Sequence, residues 1–216
     1  SGVNYRWFRD NFGRAEIETA AETGRSAYAL LDAAAARVPS GAEGLIFLPC
    51  LMGATTPTWN EAARGTFFGF TLAHNRDHFA RAILEGSAYA VRDLTDRMQA
   101  IGLDLRELRV MGGGAKSRLW NQIKADVTGL PVAALHTPET TALGAGLLAL
   151  VGVGAHSTLA EVCAAAVRIT ERFDPRPREQ AIYAEAHALY REVYFSLLPV
   201  FDRAAGIQRI QQSPAG

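Results

Sequence analysis

Residues 109–130 read RVMGGGAKSRLWNQIKADVTGL, a β-prone run that ends in three glycines and opens directly into a helix. The pattern predicts a nucleotide platform. Without Cβ atoms, Gly112, Gly113 and Gly114 let backbone approach a planar or phosphorylated ligand, and the helix behind them offers unpaired N–H groups and the positive end of its dipole to an anion. Two better-known glycine loops are excluded by the same residues. The dinucleotide fingerprint needs glycine where Ser117 stands, and the Walker loop needs glycine before its lysine, where Ala115 precedes Lys116. A turn that only joins a strand to a helix is the alternative, and the flanking segments decide between the two.

Outward from this stretch, elements alternate as in α/β domains. Helices are expected over residues 4–12 and 15–37, the second alanine-rich and stopped by Pro39-Ser40-Gly41. Short strands are expected at 45–48, 66–70, 108–111 and 131–135. Between them, residues 76–101 carry Phe79, Ile83, Gly86, Ala90, Leu94 and Ile101 at helical spacing, with Gly102 as a stop. Residues 120–128 form the helix after the glycines. The small residues of 140–151 predict a helix packed closely on a neighbour, with Thr140 or Thr141 as its cap, and 158–167 a shorter one. A Pro-broken loop is expected at 172–178. The last helix, 179–205, has Ile182, Ala186, Leu189, Val193, Leu197 and Phe201 on one stripe.

Composition narrows the function classes. The 22 basic and 22 acidic residues cancel, so no net field favours nucleic acid or an anionic membrane surface. No run approaches the roughly 20 apolar residues of a membrane span. Cys50 and Cys163 sit in apolar contexts and read as reduced thiols, which predicts a cytoplasmic protein. His74 and His78 have zinc-ligand spacing but no third ligand nearby, and read as polar residues at a helix start. Asp93, Asp96 and Asp104 read as solvated or capping, and Trp7, Trp59 and Trp120 as packing residues. Serine has no nucleophile-elbow setting, which disfavours a hydrolase.

Upstream of the glycines, residues 48–65 read LPCLMGATTPTWNEAARG, and residues 65–86 read GTFFGFTLAHNRDHFARAILEG. Taken in order with the glycine stretch, these segments resemble one family. The chain is similar to the C-terminal half of FGGY-type carbohydrate kinases, which share the actin, hexokinase and Hsp70 type of ATPase fold, and it is most similar to xylulokinases. Gly65, Phe67, Gly69, His78, Phe79, Ala82, Ile83, Leu84 and Glu85 fall on the family's second signature, with Phe70 in place of a smaller aliphatic. The resemblance spans about residues 2–202. It implies an α/β, actin-like (ribonuclease H-like) ATPase domain with a mixed sheet flanked by helices, lacking its first strands. On that reading residues 1–205 form the nucleotide-binding domain and 206–216 a flexible tail.

For the site, the resemblance puts adenine and ribose on the glycine turn and the start of the next helix, at Gly113, Gly114, Ala115, Ser117 and Arg118. The segment GVNYRWF adds Gly2 and Arg6, the latter standing where relatives carry glutamine. A Cβ at Gly114 is then expected to obstruct the nucleotide. The implied donor is ATP with Mg²⁺, held largely by a further N-terminal domain that also carries the aspartate base and the sugar pocket. No residue of this chain is assigned as catalytic base or metal ligand. The implied reaction is transfer of the γ-phosphoryl group to a hydroxyl of a ketopentose such as xylulose. Xylulokinases often carry Gly-Glu-Arg-x-Pro where this chain has Gly53-Ala54-Thr55-Thr56-Pro57, an uncharged turn shared with glycerol kinases, so a kinase for glycerol, ribulose or another polyol is the alternative. A non-catalytic nucleotide-binding module is the other. The isolated chain is expected to be inactive. It is also expected to associate with itself or with the absent part, because the 45–48, 66–70 and 108–111 strands would expose apolar edges while the last helix stays outside.

Overall fold

The computed structural model describes residues 2–56, 58–137 and 139–212, with side chains described through Ile207. Three helices open the chain: α1 (Gly2–Phe12), α2 (Arg14–Thr23) and α3 (Ala27–Ala35). The single helix expected over 15–37 is therefore two. Gly24, left-handed at φ 70°, closes α2, and the chain turns before Ser26 starts α3. Glycine reaches that conformation without steric cost, so a short alanine-rich stretch bends where average propensity favours one helix.

Strands β1 (Ile46–Leu48) and β2 (Thr66–Phe68) pair antiparallel, with Phe47 opposite Phe67 and their ring centroids 4.5 Å apart. Behind them runs α4 (Arg76–Ala100). Its start is a capping box in which the Asn75 side chain accepts the Asp77 N–H at 2.9 Å and the His78 ring accepts the Asn75 N–H at 3.3 Å. Both histidines thus serve the helix entrance, His74 through Thr71 and His78 through Asn75. From Ala80 to Tyr89 every residue of α4 is buried, so the helix is the axis of the core and not the one-sided stripe that periodicity describes. Leu94 and Ile101, assigned to that stripe, are exposed.

The two charged residues inside this axis, Arg81 and Glu85, are paired. Arg81 Nε donates to Glu85 at 2.6 Å, the Tyr183 hydroxyl donates to the same carboxylate at 2.8 Å, and the Gly41 N–H completes the set at 3.0 Å. Burial raises the Glu85 pKa and Arg81 opposes the rise. About two turns further on, Asp93 is fully buried against Arg191 and His187, which corrects its reading as a solvated or capping acid. A carboxylate's setting depends on which helix crosses over it, and the crossing helix lies about a hundred residues away.

The second sheet has the order β3-β4-β5, with β3 (Leu108–Val110) parallel to β4 (Val132–Leu135) and β4 antiparallel to β5 (Ile169–Phe173). Helix α5 (Arg118–Thr128) carries the crossover between the parallel pair and packs on α4. Helices α6 (Thr140–Gly152) and α7 (Leu159–Ala166) lead into β5, a strand lying partly where a loop was expected. Thr170, Glu171 and Arg172 fill the middle of β5, and this polar content at an edge position makes its sequence resemble a loop. Neither Thr140 nor Thr141 caps α6. Glu139 holds the cap position without a side-chain bond, and the Thr140 hydroxyl faces Met111 Sδ at 3.1 Å.

Helix α8 (Pro177–Gln212) packs against α5, β1 and α4 and supplies Tyr183, Tyr190 and Tyr194 to the core. The stripe read from its aliphatics is displaced by one residue, because three buried tyrosines and His187 outrank Ile182, which is exposed. It belongs to the core and not to the outside. Its backbone also stays helical through Gly206 to Gln212, where the sequence reading placed the start of the tail. Strand β1 is buried at all three residues, so only β2 and β3 keep the exposed character expected of an edge. Trp59 is largely exposed, which corrects its packing assignment.

Candidate nucleotide site

The 3-10 turn Gly113–Lys116 follows β3 and leads into α5. Gly112, at φ 73° and ψ −170°, makes the reversal that a side chain would strain. Ser117 then caps α5, its hydroxyl oxygen accepting the Trp120 N–H at 3.0 Å. Facing this turn are α1 and the α2–α3 corner, and between them lies a cavity of about 680 Å³.

One wall is Gly113, Gly114, Lys116, Ser117 and Trp120. The opposite wall is Gly2, Val3, Tyr5 and Arg6 of α1 with Ser26, Tyr28, Ala29 and Asp32 around α3. Gly2, Arg6, Gly113, Gly114 and Ser117 are thus brought together from segments over a hundred residues apart. Ala115 and Arg118 are not in the lining. The Ala115 carbonyl accepts the Asn121 side-chain amide at 2.8 Å, and Arg118 pairs with Glu171 of β5.

Sequence reasoning missed Tyr5, Tyr28, Asp32, Lys116 and Trp120 as lining residues. Lys116 carried the one usable signal, its place within the glycine turn. The three aromatics form a cluster, with Tyr5 and Tyr28 centroids 5.7 Å apart and Tyr5 and Trp120 centroids 6.4 Å apart. Trp120 is anchored from behind by a 2.9 Å bond from its indole N–H to the Leu84 carbonyl. Asp32 accepts the Tyr5 hydroxyl at 3.0 Å and is also hydrogen-bonded by Ser117. Burial raises its pKa, while Ser117, Tyr5 and Lys124 oppose the rise. Lys124 lies 4.4 Å from the Trp120 ring centroid, and burial lowers its pKa to about 8 against the opposing charge of Asp32.

Arg6 and Lys116 are exposed at the cavity, and neither has an ion-pair partner among the described residues. An aromatic, largely apolar chamber with two available cations suits a planar base joined to an anionic group. The glycines divide into two roles. A Cβ on Gly114 would stand 2.8 Å from the Trp120 ring, so Gly114 is required by the tryptophan behind it, whereas a Cβ on Gly113 meets nothing within 4 Å. Gly113, not Gly114, is the position where an added side chain enters open space. Among the described residues no group of three His, Cys, Asp or Glu side chains is placed to hold a metal ion. None of the helices described is long and apolar enough to cross a membrane.

The chain as a whole is similar to known proteins. A family model described as the C-terminal domain of the FGGY family of carbohydrate kinases matches residues 1–153. The gluconokinase of Bacillus licheniformis is 33% identical over 212 residues, 96% of this chain and 40% of that protein. The glycerol kinase of Aromatoleum aromaticum is 41% identical over 175 residues, 81% of this chain and 33% of that protein. Among solved structures, xylulose kinase from Rhodospirillum rubrum superposes with a TM-score of 0.77 at 35% identity, covering 94% of this chain and 39% of that one. The chain therefore spans about 40% of the length of the gluconokinase it matches. Its α/β fold is that of the actin-like sugar kinases, and the chain belongs to the FGGY family of carbohydrate kinases, of which it carries the C-terminal domain.

Proposed function

We propose that this chain is the nucleotide-holding half of an ATP-dependent sugar kinase, and that the cavity between α1, α3 and the glycine turn receives ADP or ATP. The observation that carries the reading is the convergence of Gly2 and Arg6 with Gly113, Gly114 and Ser117 on one chamber walled by Tyr5, Tyr28 and Trp120. The aromatic cluster accepts the base, and Arg6 and Lys116 attract phosphate oxygens as compact or forked cations. The parent protein transfers the γ-phosphoryl group to a hydroxyl of a ketopentose such as xylulose. Similarity to gluconokinase over nearly the whole chain favours a sugar acid as the second reading. Glycerol, ribulose and a module without catalysis are the remaining alternatives.

Magnesium enters such a reaction on the nucleotide's phosphates. The residues described here do not form its cage, because the one carboxylate in the described lining, Asp32, is already engaged by two hydroxyls. The metal ligands, the base and the sugar pocket belong, on this proposal, to the rest of the parent protein, and the isolated chain transfers no phosphate. The parent is soluble in the cytoplasm and self-association remains open to the exposed β2 and β3 edges.

Calorimetry with ADP on the wild-type chain and on Gly113→Val tests the assignment. Wild type should bind ADP weakly, and Gly113→Val should weaken it by about tenfold, on the order of 1.4 kcal/mol, at an unchanged melting temperature. Equal affinity in the two proteins would reduce the glycine turn to a connector. Sugar-dependent ATP turnover by the chain alone would refute the division of labour.

A further inference from the structure

The aromatic wall offers a planar base a surface but gives no means of telling one base from another, since every base has a π face. Identity has to come from a polar group fixed at the wall. Asp32 is the one carboxylate in the described lining, and it stands among the rings. Its orientation is set by two neighbours, the Tyr5 hydroxyl at 3.0 Å and the capping Ser117. Tyr5 is itself buried, and Ser117 is tied to Trp120 through the helix cap, so the carboxylate is held from both walls at once. An ionised carboxyl has about four acceptor positions, and these two hydroxyls occupy two.

We propose that Asp32 reads the nucleobase, accepting a hydrogen bond from the exocyclic amino group of adenine and so selecting adenine over 6-oxopurines. This rests on the cavity being the nucleotide site. A carboxylate accepts and does not donate. Adenine presents a donor at its six-position, whereas hypoxanthine presents a carbonyl oxygen there, which sets acceptor against acceptor in a half-buried setting. A site that hydrogen-bonds a substrate N–H rejects an analogue lacking it more strongly than a hydrophobic pocket rejects a change of size. Guanine is the competing fit, because its N1–H and two-amino groups also suit a carboxylate.

The test is an NMR titration of the 216-residue chain with ADP, purine riboside diphosphate (adenine without its amino group), IDP and GDP. ADP should bind at least roughly tenfold more tightly than purine riboside diphosphate, as one charge-assisted hydrogen bond requires, and IDP should be weaker still. In Asp32→Asn the amide oxygen still accepts the two hydroxyls while its NH₂ group donates toward O6, so ADP should weaken, IDP should strengthen, and their ratio should shrink by at least about tenfold. Comparable affinity for ADP and purine riboside diphosphate in the wild-type chain would overturn the role of Asp32 and leave the cavity reading intact. GDP binding more tightly than ADP would overturn the choice of adenine. No binding of any of the four would overturn the nucleotide site itself. Should Asp32→Asn fail to fold, the wild-type series decides alone.

Discussion

Gly86→Ala should destabilise the chain by about 3 kcal/mol or more, with a lowered and broadened melt, although alanine is the better helix former. Propensity alone predicts the opposite sign, a gain of about 1 kcal/mol for replacing a mid-helix glycine. Packing decides. A Cβ on Gly86 would collide with the carbonyl oxygen of Phe47, a backbone atom in a fully buried strand that has no room to yield. Circular-dichroism melts of the two proteins separate the accounts, and a Gly86→Ala chain as stable as wild type would mean that α4 does not lie on β1 as described.

The second large effect concerns the buried pair beside it. Arg81 and Glu85 are 4% and 1% exposed, which places both charges out of water. Arg81→Met would leave Glu85 with the Tyr183 hydroxyl and the Gly41 N–H alone, and would strip the Val38 carbonyl of a donor at 3.2 Å. An uncompensated buried charge of this kind costs about 3–5 kcal/mol. Adding Glu85→Leu should recover part of the loss, because it removes the orphaned charge while still leaving the Gly41 N–H unpaired. Urea unfolding measures both. A double variant no more stable than Arg81→Met would show that packing of the arginine stem, and not its charge, holds this corner.

These two sites also indicate what a linear reading of the chain reaches. Gly86 stood in the apolar set of α4 because its spacing is helical, yet why it is glycine depends on Phe47, forty residues earlier and in another element. The strands at 46–48, 66–68, 108–110 and 132–135 were legible from short apolar runs bounded by turns. Strand β5 was not, because a short edge strand with Thr170, Glu171 and Arg172 at its middle looks like loop, and the stripe of α8 was misplaced because tyrosine and histidine were discounted beside aliphatics.

At the site, the glycine turn has a sequence signature of its own, whereas Gly2 and Arg6 of α1 came only from the resemblance to the family. Asp32 was not legible. It lies in the run LLDAAAA, where an acid reads as one solvated face of a helix, and its setting is created by the corner at residues 24–26 that turns α3 toward α5. Gly114 shows the converse. It lines the cavity, and the absence of its Cβ also makes room for Trp120, six residues on, which no local pattern indicates.

Hydrogen–deuterium exchange of the chain with and without ADP tests the nucleotide site most directly, since it requires no choice of residue in advance. Protection should appear in three separated segments, around residues 2–6, 26–32 and 113–120, and should be absent from α7 and the far half of α8. Protection that leaves α3 and the glycine turn unchanged, or falls elsewhere in the molecule, would contradict the assignment of the cavity.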